Sequence, residues 1–140
     1  MVHQLLPLFY TAILLASLLY SKYALEKAGL QLQEKERIAA NELLKSALAM
    51  NVILTMVFFL SMPIAGKYLS QAYHWIAAII SGVFALLFVL INNRLYQEYH
   101  SQGFPNAFCH MFVQSRLVLL IGLLVFGHFL FETAQTFANP

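Results

Sequence analysis

Residues 72–91 read AYHWIAAIISGVFALLFVLI, twenty positions with no Asp, Glu, Lys or Arg among them. Wound as an α-helix at about 1.5 Å per residue, such a stretch covers about 30 Å, the thickness of a bilayer's hydrocarbon core. Three further stretches of the same character lie on either side, at residues 5–24, 46–65 and 107–131. The chain of 140 residues is 61% hydrophobic and 10% charged, with a mean hydropathy of +0.72. A soluble domain carries roughly 25% charged residues, and one small core cannot bury this much apolar surface. The expected fold is therefore all-α and integral to a membrane: one four-helix transmembrane domain over residues 1–140, with the lipid bilayer as its surroundings.

The charged residues group in the connections. Lys22, Lys27, Lys35, Arg37 and Lys45 flank the first, Lys67 the second and Arg94 the third. The positive-inside rule places the first and third connections in the cytoplasm and both termini outside, as in a bacterial inner membrane protein. A net charge of +2 gives no footprint for nucleic acid. Tyr20, Tyr23, Tyr68, Tyr73, Trp75, Tyr96 and Tyr99 fall near the span ends, where amphipathic rings favour the headgroup region. The start of the chain lacks a basic n-region and an A-x-A site, so its first apolar stretch reads as a retained helix. The single cysteine, Cys109, excludes an internal disulfide.

Between Leu30 and Pro63 there is no Pro or Gly, and residues 34–45 are good helix formers. Glu34 with Arg37 and Glu42 with Lys45 are spaced to meet on one helix face. The second helix is thus expected to begin near Gln33 and to extend into the cytoplasm. The alternative is a helix lying flat on the membrane, with Ile38, Leu43, Leu44 and Leu48 downward. The third connection, residues 92–106, carries the turn signal Gly103, Phe104, Pro105.

Chemistry-bearing residues are few. Arg116 lies deep in the fourth stretch, where a charge costs several kcal/mol unless it pairs or reaches the interface. It reads either as an anion or headgroup site, or as a side chain that snorkels or pairs with Glu98 or a helix carbonyl. Asn106, His110 and Gln114 recur at i, i+4, i+8 and form one stripe, expected to face the bundle interior or a subunit interface. Interhelical hydrogen bonding, with Asn51 as a partner, the wall of a polar cavity and a proton pathway are its three readings. The histidines, His3, His74, His100, His110 and His128, share no H-x-x-x-H spacing, so no metal site is read. Ala12 with Ala16, and Gly122 with Gly127, offer places for close helix approach. No nucleophile elbow, phosphate loop, dinucleotide fingerprint or Cys-x-x-Cys is present.

In outline the whole chain resembles the MAPEG family, the membrane-associated proteins of eicosanoid and glutathione metabolism. The opening Leu5, Leu6, Pro7, Leu8, Phe9, Tyr10 is similar to the start of bacterial members. Arg37 and Asn41 match the spacing of the family's Arg and Asn at the start of the second helix. Arg94, Leu95, Tyr96, followed by Gly103 and Pro105, resembles its segment after the third helix. The chain departs from the pattern at Leu44, where the family has Glu, at Ser46, where it has Pro, and near His110, where it has a basic residue. The resemblance implies a homotrimer that binds glutathione, or a lipid-like electrophile, between helices, with glutathione transferase-like activity. Together with the polar stripe and the deep arginine, it gives the ligand-binding candidates Arg37, Asn41, Arg94, Tyr96, Tyr99, His110, Gln114 and Arg116. In that family a cationic pocket holds the tripeptide carboxylates and lowers the thiol pKa. The competing reading, favoured by the lack of a catalytic motif, is a non-catalytic accessory subunit of a larger membrane complex.

The topology has a direct test. A cysteine placed at Lys35 is expected to stay unlabelled by an impermeant thiol reagent in intact cells and to react once they are opened. Labelling in intact cells would invert the assignment.

Overall fold

The computed structural model describes every residue except Met1, Gln31, Ser70, Tyr73, His74, Asn139 and Pro140, and all side chains of the described residues but those of Val2 and His3. It consists of four long helices: α1 (Val2–Gly29), α2 (Glu34–Ile64), α3 (Ile76–Ser101) and α4 (Asn106–Ala138). All four are long and apolar enough to cross a membrane. Helices α1 and α4 overshoot their apolar stretches at both ends, α2 at its start and α3 at its end, so the charged connections are mostly helix. Helix α1 ends at Gly29 and α2 begins at Glu34, and between α3 and α4 only residues 102–105 are outside a helix.

Local chemistry explains the ends. Gln33 is extended and α2 starts at Glu34, with Glu34 and Glu36 in its first turn, where carboxylates oppose the positive helix terminus. Residues 34–45 are helical, as their composition predicts, although neither Glu34 with Arg37 nor Glu42 with Lys45 closes an ion pair. Pro63 has no N–H for the bond to Phe59, four residues before it, and just beyond it the helix loosens into a π-helical turn, Ala65–Leu69. At the end of α3, Gly103 adopts φ +81°, open to glycine without strain. Its N–H donates to the His100 carbonyl, and the Phe104 N–H reaches back to Tyr99. The Phe104 ring then meets the Tyr99 ring edge-on at 5.1 Å, closing the apolar contact that accompanies this kind of helix ending.

Helix α4 packs against every other element, and α1 makes most of its contacts with α4. On α1 the buried positions are Ser17, Ser21, Ala24 and Ala28, one stripe of small side chains. Ser17 sits where a Cβ on Gly122 would have to be, and its hydroxyl is satisfied by the Ile13 carbonyl at 2.8 Å. Gly127 likewise leaves space that the Phe58 ring fills. The expected close approach at Ala12 and Ala16 does not form: both are exposed, because α1 turns the Ser17 face to α4.

Two apolar clusters fill the bundle. One, at the end formed by the α1–α2 connection and the 102–105 turn, is centred on Tyr99, Phe104, Phe108 and Phe112. The other is centred on Phe58, Met62, Phe84, Phe88 and Leu123. Between them, α2, α3 and α4 each contribute buried polar residues: Asn51, Asn92, and Ser115 with Arg116. The Asn51 and Asn92 amides exchange two hydrogen bonds, at 3.4 and 3.3 Å, and Asn92 also donates to the Phe88 carbonyl at 2.8 Å. Asn51 is thus held by α3, and not by the Asn106/His110/Gln114 stripe that seemed its natural partner.

Two outcomes follow from this packing. Gly122→Ala should lower thermal stability in detergent by about 1–3 kcal/mol, the usual cost of overpacking, and Ser17→Gly in the same chain should recover part of it. Asn92→Leu strands the Asn51 amide and should cost about 1–3 kcal/mol. The double variant Asn51→Leu/Asn92→Leu should lose less than the sum of the single losses, with a coupling of about 0.6–1.7 kcal/mol in a double-mutant cycle.

Candidate functional site: a basic cleft and a buried arginine

The residues singled out by sequence divide among several places. Arg37 and Asn41, on the first turns of α2, face the last turns of α1 across a cleft of about 850 Å³. Lys22, Glu26 and Lys27 line its α1 side, and Tyr99 and Phe108 reach its floor. Three cations and one carboxylate share the cleft, a local balance of +2, and none of the four is in an ion pair. The cleft lies between the last turns of α1, which packs mainly on α4, and the first turns of α2.

Tyr99 is not a free group in that cleft. It is 1% exposed, and its hydroxyl donates to the Ala40 carbonyl at 3.1 Å. Phe104, Phe108 and Phe112 surround its ring edge-on. Its role in this chain is to tie α3 to α2 and α4; the reading of Tyr99 as an interfacial ring does not hold, since it is at the centre of a cluster.

Arg116 stands apart from the cleft. It is 8% exposed, its guanidinium lies 5.3 Å from the Phe112 ring, and Nε has no hydrogen-bond partner among the described residues. Glu98, the expected carboxylate partner, is engaged by Arg94 at 3.8 Å on the surface. Arg116 lines a second cavity, of about 200 Å³, between α3 and α4, together with Asn93 and Tyr96. Arg94 itself is 85% exposed in a third groove, between α2 and α3. The five cationic and phenolic candidates therefore do not converge on one pocket within the chain. Arg37 and Tyr99 share the cleft, Tyr96 and Arg116 share the α3–α4 cavity, and Arg94 joins neither.

The Asn106/His110/Gln114 stripe faces away from the bundle of this chain, so of the two expected positions, bundle interior or subunit interface, the interior one is not taken. His110 and Gln114 bond each other at 3.3 Å on the outer surface of α4, and Asn106 and His110 border Tyr96 in a shallow groove. The reason is helical arithmetic. Gln114 and Arg116 are two residues apart, or about 200° around the axis, so burying one exposes the other.

Sequence alone does not single out Lys22 and Lys27 on α1 as site residues, nor does it pair Asn92 with Asn51. Their signal is present in weak form: charges in the last turns of a helix, one amide within the second apolar stretch, and the Asn92–Asn93 pair just past the end of the third. Among the described residues, no three of His, Cys, Asp and Glu come together, and His128 pairs with Glu132 at 3.0 Å on the surface. His74 and Tyr73 lie outside the described residues. The chain matches no family model, no curated protein and no solved structure.

Proposed function

We propose that this is an integral membrane protein whose basic cleft binds a small, multiply anionic molecule from the cytoplasm, with glutathione as the reference ligand. The membrane reading rests on four apolar helices whose outer faces are apolar as well: Leu15, Leu19, Ile53, Leu60, Leu86 and Ile121 are all more than half exposed. Acyl chains are the environment in which such a surface carries no penalty. The helices are longer than the hydrocarbon is thick; α4 with 33 residues is about 50 Å long, so helix ends project or tilt. The α1–α2 connection and the 102–105 turn, with the cleft between them, occupy the cytoplasmic end in this arrangement, and both termini lie on the far side.

One observation carries the ligand reading: Lys22, Lys27 and Arg37 converge on a single cleft with Asn41 and remain unpaired there. Carboxylates are recognised by such cations through charge-assisted bonds. A volume of about 850 Å³ is within the range of small-molecule sites. Two of the lining residues, Arg37 and Asn41, are those that match the MAPEG spacing, which is why glutathione is the reference ligand. The reading is one of binding. The Tyr99 hydroxyl already donates to Ala40, so it has no second proton to offer a thiolate in the cleft.

A second reading, that of a subunit in a larger membrane assembly, is favoured by the outward-facing polar stripe. Asn106, His110 and Gln114 on the outside of an apolar helix call for a protein neighbour, either another copy, as in a trimer, or a different subunit.

Glutathione binding to protein purified in detergent, measured by equilibrium dialysis, separates these readings. Saturable binding is expected, weakened about tenfold or more in Arg37→Ala and in Lys22→Ala/Lys27→Ala, since each charged bond is worth about 1.5–3 kcal/mol. Absence of saturable binding, or binding indifferent to these changes, would overturn the cleft assignment. Mass measurement on the same sample is expected to give a homo-oligomer. Recovery of a stoichiometric second polypeptide would favour the accessory-subunit reading.

A further inference from the structure

The cavity between α3 and α4 is separate from the basic cleft and has a different character. Its two walls run antiparallel. Asn93, Tyr96 and Arg116 line it together with Phe112 and Val113 on the side toward the 102–105 turn, and Phe88, Val89 and Leu120 line the end toward the middle of the bundle. It opens sideways rather than toward the helix ends, because Val89, Val113 and Leu117 on its rim are 47%, 37% and 52% exposed. In a bilayer that mouth faces acyl chains. Arg116 lies about 15 Å along α4 from Asn106, below the headgroup level at the proposed cytoplasmic side.

A guanidinium at such a depth is costly unless an anion or a set of acceptors meets it. The chain supplies no anion. Glu98 is bound to Arg94, and no other Asp or Glu lies between residues 43 and 131. Asn92, beside Arg116 on the cavity wall, has its carbonyl oxygen engaged by Asn51. What remains is a buried cation whose Nε lacks a partner, covered on one side by the Phe112 ring and facing a cavity whose far end is apolar.

We infer that this cavity is a lateral site for a long-chain fatty acid, whose carboxylate sits on the Arg116 guanidinium and whose chain runs past Phe88 and Leu120 into the bilayer. A carboxylate matches the planar fork of a guanidinium and balances its single charge. The Asn93 amide and the Tyr96 hydroxyl are further donors at the same end of the cavity. At about 200 Å³ the cavity is smaller than a typical small-molecule site. It accommodates a head and the first methylenes of one chain, with the remainder on the exposed apolar face. The inference rests on the membrane reading above but not on the basic cleft.

The test is binding of radiolabelled palmitate to the full-length protein in a neutral detergent. Saturable binding near one per chain is expected, weakened about tenfold or more in Arg116→Leu, the loss of one charge-assisted contact. Val113→Trp, which fills the mouth and leaves the arginine in place, should weaken it comparably, and so keeps the test decisive if Arg116→Leu does not fold. Hexadecanol, with the same chain and no charge, should not displace palmitate, and neither should glutathione, which belongs to the other cleft. No saturable palmitate binding, binding unchanged in both variants, or displacement by hexadecanol or glutathione would overturn the site. Displacement by phosphatidylglycerol at equal concentration would overturn the assignment to a single-chain carboxylate. Palmitate binding without glutathione binding would leave this site standing and remove the cleft reading; the reverse result would do the opposite.

Discussion

The paired amides of Asn51 and Asn92 fix how α2 meets α3. Apolar helices in an apolar solvent gain little by touching one another, so register must come from close packing and from hydrogen bonds with no substitute in lipid. Two amides that exchange two bonds allow one axial position of α2 against α3. A slip by one turn would leave both without partners. That polar layer separates the Tyr99 cluster from the Phe58 cluster, and it puts Ser115 and Arg116 of α4 at the same level. The placement of Arg116 beside Asn92, and so the cavity it lines, depends on this register.

Helix α1 is attached by a different principle. Its contact face is small rather than polar, with Ser17 set into the space left by Gly122 and Tyr10 stacked on Phe129 at 4.7 Å. Such a seam permits close backbone approach over one neighbour but does not wrap around the bundle. Beside this seam, the last turns of α1 and the first turns of α2 border the basic cleft. The two candidate sites thus go with two kinds of packing: one lies beside a small-residue seam, the other at a polar layer that draws an arginine inward.

The Tyr99 ring links these arrangements. It forms the floor of the cleft, bonds the Ala40 carbonyl of α2 and holds the phenylalanines that lead from the Gly103 turn to Phe112, the ring beneath Arg116. A residue that resembles a ligand contact by its position after Arg94, Leu95 and Tyr96 is in this chain the anchor that holds three helices together.

The sequence by itself determined the four helices, the start of α2 after Gln33 and the glycine turn at residue 103. Each depends on properties summed or placed along a local segment: hydropathy over some twenty positions, unbroken helix formers, one residue free to take positive φ. Arg37 and Asn41 could be picked as neighbours for the same reason, being one helical turn apart. Only the tertiary structure decided which faces turn inward. Every helix here is apolar nearly all round, so its own pattern contains little directional signal, and the choice between burying Gln114 or Arg116 was made by the neighbours of α4 rather than by α4 itself. Lys22 and Lys27 meet Arg37, and Asn92 meets Asn51, through contacts between separate helices. Facing and convergence are properties of pairs of helices, and one chain's hydropathy measures them singly.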